Sequence, residues 1–284
     1  MKLHRLFCLT LAALLTLPTL ALAAPFTEIT WYGHSAFKIT SPNGKVLYMD
    51  PWITNPANKS GKEQLAAITK ADLILVSHGH FDHVGDSTEI ARKTGAQLVA
   101  TFDLGKAMVQ YGGFPEKQFG YPTTGNFGGQ ITLLDGEVKV AFTPALHSSS
   151  IEPPADSKYP KGLQYAGNPG GLAVAIKNGP TIYHTGDTDV FGDMALIRDF
   201  GAVDIMLVCI GDRFTMGPRR AALAVKLVNP AMAIPMHFGT FPVLTGTAAE
   251  FSAETKKVAP GTTVKVLEVG ETLVWPPAHA IPAK

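Results

Sequence analysis

Cysteine is almost missing from this chain: 284 residues contain two, Cys8 and Cys209. Cys8 falls in an apolar N-terminal segment, so removal of that segment leaves Cys209 alone and no intrachain disulfide can form. Charge is also sparse, at 17% of residues, and the basic side chains come singly or in pairs such as Arg219-Arg220 and Lys256-Lys257. Binding a phosphate backbone needs a positive field, so nucleic acid is not an expected partner. Disorder is equally disfavoured, because 46% of the residues are hydrophobic.

The N-terminal segment reads as an export signal. Lys2 and Arg5 precede an almost wholly apolar stretch from Leu6 to Leu17, and Ala21-Leu22-Ala23 supplies small residues at the spacing a signal peptidase reads. Thr10, Thr16, Pro18 and Thr19 interrupt the stretch, which falls short of the about 20 apolar residues of a membrane span. We therefore expect residues 1–23 to be a signal peptide. The mature protein is then periplasmic or secreted, with no stable membrane insertion after cleavage. Cys8 lies too early to carry a lipid at the cleavage point. The mature chain would hold 22 basic and 23 acidic residues, a net charge of −1.

Residues 24–284 show no linker-like division and are expected to form one domain. Short apolar runs recur at 28–31, 45–49, 72–76, 97–100, 138–142, 171–176, 181–183, 204–208, 231–235 and 263–267. Several are apolar at consecutive positions, as in strands covered on both faces. Helical patterns at 86–94, 103–111, 191–199, 218–228 and 247–257 alternate with them. Interleaved strands and helices imply a layered α/β domain. The stretch from Ser148 to Gly171, rich in Pro, Gly and Ser, reads as a flap following His147.

Chemistry concentrates at the ends of the apolar runs. The run from Asp72 ends in Ser77-His78-Gly79-His80-Phe81-Asp82-His83, three histidines and an aspartate within six positions. His78 and His80 can converge on one cation if the loop curls, while Asp82 and His83 project toward a second. Imidazole with carboxylate suits zinc, manganese or iron. His147, Asp187 and His237 each also follow an apolar run, and in open α/β folds that edge is where sites form.

The pattern His78-x-His80-x-Asp82-His83, followed by His147, Asp187 and His237, resembles the ligand set of the metallo-β-lactamase superfamily. The flanking segments are similar to a branch of metal-dependent hydrolases related to the ascorbate-phosphate lactonases and, more distantly, to N-acyl-phosphatidylethanolamine phospholipase D. These segments are Trp31-Tyr-Gly-His34-Ser-Ala-Phe37, Asp50-Pro51, Tyr183-His184-Thr-Gly-Asp187, Phe214-Thr-Met-Gly-Pro218 and Ile234-Pro-Met-His237. The resemblance implies an αββα four-layer sandwich, two mixed β-sheets with helices on the outer faces. It implies two divalent metal ions, zinc first, with manganese or iron as alternatives. His78, His80 and His147 would hold one ion, Asp82, His83 and His237 the other, and Asp187 would bridge them. Asp50 would orient the histidine loop, unless it merely opens a turn before Pro51.

Two cations a few ångströms apart can share a hydroxide, because coordination lowers the pKa of water to roughly 7. The expected function is hydrolysis of a small ester, lactone or phosphoester, with a small-molecule substrate as partner. Asp82 or Asp187 would relay a proton to the leaving group, or His34 or His184 would, if these reach the rim of the site. The alternatives are a phosphodiesterase of the phospholipase D type and a metal-binding module without turnover. Cys209 lies in an apolar run rather than among the ligand types, which weakens a β-lactam substrate. Arg213, beside Asp212, either serves an anionic group or forms a solvated pair. The oligomeric state stays open.

Overall fold

The strand Val46–Met49 is buried at every position, and its residues divide between two cores. Leu47 and Met49, with Leu73, Leu75 and Val99, face a second sheet, whereas Val46, Tyr48, Ile74 and Leu98 pack under helices. That division is the period-two alternation of a strand expressed in a sheet covered on both sides. A computed structural model describes residues 26–276, and the expected signal at residues 1–23 lies outside them.

Two seven-stranded mixed sheets make the middle of the molecule. The first runs, edge to edge, through Thr272–Trp275, Thr27–Trp31, Phe37–Thr40, Val46–Met49, Leu73–Leu75, Gln97–Thr101 and Thr124–Gly125. The second runs through Thr263–Val264, Met232–Met236, Ile205–Cys209, Thr181–His184, Gly170–Ile176, Val138–Pro144 and Gln130–Leu133. Each sheet joins three antiparallel pairings to three parallel ones. Helices Gly61–Ala66, Ser87–Thr94 and Phe102–Gln110 bury Leu65, Ile90, Ala91, Leu104 and Met108 against the outer face of the first sheet. Pro218–Val228 and Ala248–Val258 contribute Ala221, Val225 and Phe251 to the core of the second. The architecture is the four-layer αββα sandwich expected from the motifs.

Helix Pro218–Val228 shows the local rules plainly. Pro218 occupies the first turn, where its missing N–H costs nothing, and Asn229 closes the helix in the left-handed region, φ 55°. Three expectations are revised. The helix expected at 191–199 is a tighter 3-10 helix, Gly192–Phe200. The strand expected at 263–267 stops at Val264. The Ser148–Gly171 flap is partly ordered: Ser150–Ile151 pairs with Gln164–Tyr165, and Gly170 and Gly171 already belong to a central strand. Among the described residues, no helix is long and apolar enough to cross a membrane.

Candidate metal centre

Six segments that build the centre leave the C-terminal ends of strands on one edge of the sandwich. His34 follows Thr27–Trp31, Asp50 follows Val46–Met49, and the histidine loop follows Leu73–Leu75. His147 follows Val138–Pro144, Asp187 follows Thr181–His184, and His237 follows Met232–Met236. Parallel neighbours point their C-terminal ends the same way, so chemistry placed there converges. The loops also approach closely. Gly186 adopts φ 58°, and a Cβ there would lie 2.5 Å from the carbonyl oxygen of Gly170.

Three groups of donor atoms could each hold a cation: His78, His80 and His147; His34, Asp82, His83 and His237; and His78, His83 and Asp187. In the first, His78 Nε2 and His147 Nε2 lie 3.0 and 3.3 Å from His80 Nδ1. A four-coordinate ion with bonds of about 2.0–2.1 Å keeps its donors about 3.3 Å apart, so three imidazole nitrogens at this spacing fit one. In the second, Asp82 Oδ2 is the common neighbour, 3.0 Å from His34 Nε2, 3.6 Å from His237 Nε2 and 4.0 Å from His83 Nε2. Asp187 touches both groups. Its Oδ1 is 3.2 Å from His83 Nε2, and its Oδ2 is 3.0 Å from His237 Nε2 and 3.6 Å from His147 Nε2.

The supporting hydrogen bonds determine which nitrogens face the centre. Asp50 Oδ1 accepts the Ser77 N–H at 2.8 Å, and Oδ2 accepts the Ser77 hydroxyl at 2.6 Å and His83 Nδ1–H at 2.7 Å. The Ser77 proton is thereby committed, so at 3.0 Å the Ser77 oxygen accepts from His78 Nδ1. Both imidazoles then turn Nε2 inward, the nitrogen a ligating histidine offers once any proton on it is displaced. His83 Nε2, His237 Nε2 and Asp187 Oδ1 are buried polar atoms without a hydrogen-bond partner among the described residues. Orphaned buried donors and acceptors are costly, and a divalent cation satisfies all three.

The electrostatics agree with a cationic occupant. Burial raises both carboxyls, but His83 and His237 hold Asp82 and Asp187 well below the usual carboxylate range. Burial pushes His83 and His237 down, yet the carboxylates win: His83, facing Asp187, Asp50 and Asp82, stands well above an ordinary imidazole, and His237, facing Asp187 and Asp82, rises to about 9. His78 is driven well below 6.5 by burial and by His83.

All seven expected ligands therefore meet at one edge, and His34 joins them. It is buried, with Nδ1 2.8 Å from Thr240 Oγ1, and burial with the neighbouring His237 lowers it to about 4. His184 does not reach the rim. Its Nδ1 accepts the Gly186 N–H at 3.1 Å and its Nε2 donates to the Ser35 carbonyl at 3.1 Å, so both nitrogens are spent inside the protein. Its fully buried ring sits edge-on to Phe37 at 6.0 Å. Asp50 does more than open a turn, as its three hydrogen bonds show. Arg213 lies over the Phe214 ring at 5.6 Å, while Asp212 Oδ2 accepts from the Thr245 hydroxyl at 3.3 Å. Ser77 and Thr240 were not singled out from sequence. The serine directly before His78 was the one available signal.

Comparison with known proteins agrees with this geometry. The Beta-lactamase superfamily domain family matches residues 28–237. A UPF0173 metal-dependent hydrolase of Thermodesulfovibrio yellowstonii is 62% identical over 263 residues, covering 93% of this chain and 97% of that protein. Another from Anaeromyxobacter dehalogenans is 49% identical over 247 residues, covering 86% and 85%. Among solved structures, Igni18, a metallo hydrolase from Ignicoccus hospitalis, is 34% identical with a TM-score of 0.73, covering 88% of this chain and 98% of that one. The chain belongs to the metallo-β-lactamase superfamily and is a metal-dependent hydrolase.

Proposed function

We propose that this hydrolase uses two divalent cations to cleave a small ester, lactone or phosphoester. The observation that carries the reading is Asp187, whose carboxylate reaches His147 of one donor group and His83 and His237 of the other. His78, His80 and His147 would hold one ion, Asp82, His83 and His237 the other, with zinc the first expectation and manganese or iron the alternatives. Bound there, the ions would polarise a carbonyl or phosphoryl oxygen and lower the pKa of water to about 7.

The chain's own residues do the rest. Asp50 and Ser77 fix the imidazoles of His83 and His78. Asp82 and Asp187, both held ionised, are the groups placed to take a proton at the centre and return it to a leaving oxygen. His34, neutral at its lowered pKa, lies 3.0 Å from Asp82 at the wall of the second donor group. His80 and His147 are only partly buried, so substrate and water have access from their side.

A phosphodiesterase of the phospholipase D kind is a second reading with its own support. Phe81 and Leu146, each next to residues of the centre, are 69% and 55% exposed and would suit an apolar substrate tail. A non-catalytic module has less support, since the centre is open to solvent on one side. Lactone, ester and phosphodiester substrates, offered to protein with quantified metal content, separate these readings. Turnover of phosphodiesters alone favours the second, and metal without turnover of any favours the module. We also infer that the enzyme works outside the cytoplasm. N-terminal sequencing that begins at Ala24 would support this, and a retained N terminus in the cytosolic fraction would refute it.

A further inference from the structure

We propose that His34 is an eighth protein ligand, and that its Nε2 makes the second cation pocket the more enclosed and more retentive of the two. The inference rests on the metal-dependent reading above but concerns a residue outside the seven-ligand set. One ligand atom from each of His34, Asp82, His83 and His237 lies within 4.8 Å of the others, and His34 Nε2 is 3.0 Å from Asp82 Oδ2. Within that group His34 approaches Asp82 more closely than either His83 or His237 does.

Two features beyond distance favour ligation. The first is backbone conformation. His34 and His237 both sit in the left-handed region, at φ 52° and 57°, and the His237 N–H donates to the His34 carbonyl at 2.9 Å. Non-glycine residues persist there only where surrounding structure imposes it, commonly at functional sites. The two strained histidines hold one another, with ring centroids 4.0 Å apart. The second is tautomer control. Thr240 Oγ1 is placed to accept a proton from His34 Nδ1, which leaves Nε2 with a lone pair directed at the Asp82 carboxylate. A lone pair facing a carboxylate at 3.0 Å is repulsive until a cation lies between them.

The two pockets then differ. The first has three imidazoles, two of them partly exposed. The second has four donors, three of them on fully or almost fully buried histidines, and includes the unpartnered Nε2 atoms of His83 and His237. Closed donor sets hold structural ions, whereas sets with a free position serve catalysis. The ion in the His34 pocket is the resident one, and the ion in the His80 pocket exchanges.

The test is Co2+ titration of chelator-stripped protein, followed by d–d absorption and calorimetry. Wild type should show two unequal classes and retain one equivalent after dialysis. His34→Gly, unstrained at this φ, should weaken the tight class by more than about 100-fold, beyond the ten- to hundredfold effect of an outer hydrogen-bond partner. The other class should keep its wild-type affinity. Added imidazole should restore the lost class in His34→Gly, with wild type in the same imidazole as control. His34→Asn, which also tolerates φ above zero, should lose the class without rescue. Thr240→Val, which leaves the imidazole in place, should weaken it less. Wild-type affinities for both classes in folded His34→Asn would overturn the assignment and leave the hydrolase reading intact. So would a loss in His34→Gly that imidazole does not repair. A wild-type protein that binds no Co2+ would remove both.

Discussion

Asp50 Oδ2 accepts the Nδ1 proton of His83 at 2.7 Å, and both residues are fully buried. This bond holds His83 Nε2 toward Asp187. Asp50 has φ 42°, a conformation asparagine also tolerates, so Asp50→Asn tests the charge without forcing the turn. Metal affinity should fall about ten- to hundredfold, the usual cost of losing such a partner. Calorimetric titration of stripped protein measures it, and unchanged affinity would show that His83 needs no orienting carboxylate.

Asp187 faces both donor groups, so its loss should be felt by both. Asp187→Asn is expected to reduce bound metal below that of wild type and to cost more turnover than Asp50→Asn does. The measurement is metal content by mass spectrometry alongside kcat/KM on any accepted substrate, with circular dichroism to establish the fold. Full turnover in a folded variant would remove Asp187 from the mechanism.

Metal binding should release protons and strengthen as pH rises. His237 is raised to about 9, so at pH 7 it carries a proton that a cation must displace, and the neighbouring carboxylates raise His83 in the same direction. Below about 9 the displaced His237 proton makes affinity climb up to about tenfold per pH unit. The heat of binding should vary with buffer ionisation enthalpy. Each ion at about 1,000 times its Kd should also add about 4 kcal/mol to folding stability, so chelation should lower Tm.

Cys209 should be inert in the native protein. Burial, with the Asp187 charge nearby, pushes its thiol up to about 11. At pH 8 only about 0.1% is thiolate, so a thiol reagent should react only after denaturation. The unfolded chain ionises from about pH 8.5 and the folded chain not until about 11. This contribution to stability is therefore complete below pH 8.5 and is lost as pH rises toward 11. Cys209→Ala should flatten that part of the stability profile. Protein lacking residues 1–23 keeps Cys8 out of the measurement.

The sequence was most legible where burial and chemistry coincide. Strands such as Ile205–Cys209, buried at every position, show continuous apolar runs, and the ligand types at their ends stand out against them. Strands with one wet face were missed. Phe37–Thr40 alternates buried and partly exposed residues over four positions, and Gln130–Leu133 and Thr272–Trp275 are edge strands exposed at two of their four positions. Gly61–Ala66 and Phe81–Val84 are too short for helical periodicity to register. The role of His184 was hidden because its hydrogen-bond partner Ser35 lies 149 positions away. Thr240 was equally out of reach, 206 positions from His34.

The C-terminal strand Thr272–Trp275 lies beside Thr27–Trp31, and the contact continues past the strands. Gly270 N–H donates to the Trp31 carbonyl, Trp31 N–H donates to Glu271, and the Trp31 indole donates to the His34 carbonyl at 3.0 Å. The tail thus acts as a latch on the turn that carries His34. A protease that nicked the chain near Gly270 would bare a strand edge and, through Trp31, loosen the grip on metal some forty residues upstream of the histidine cluster.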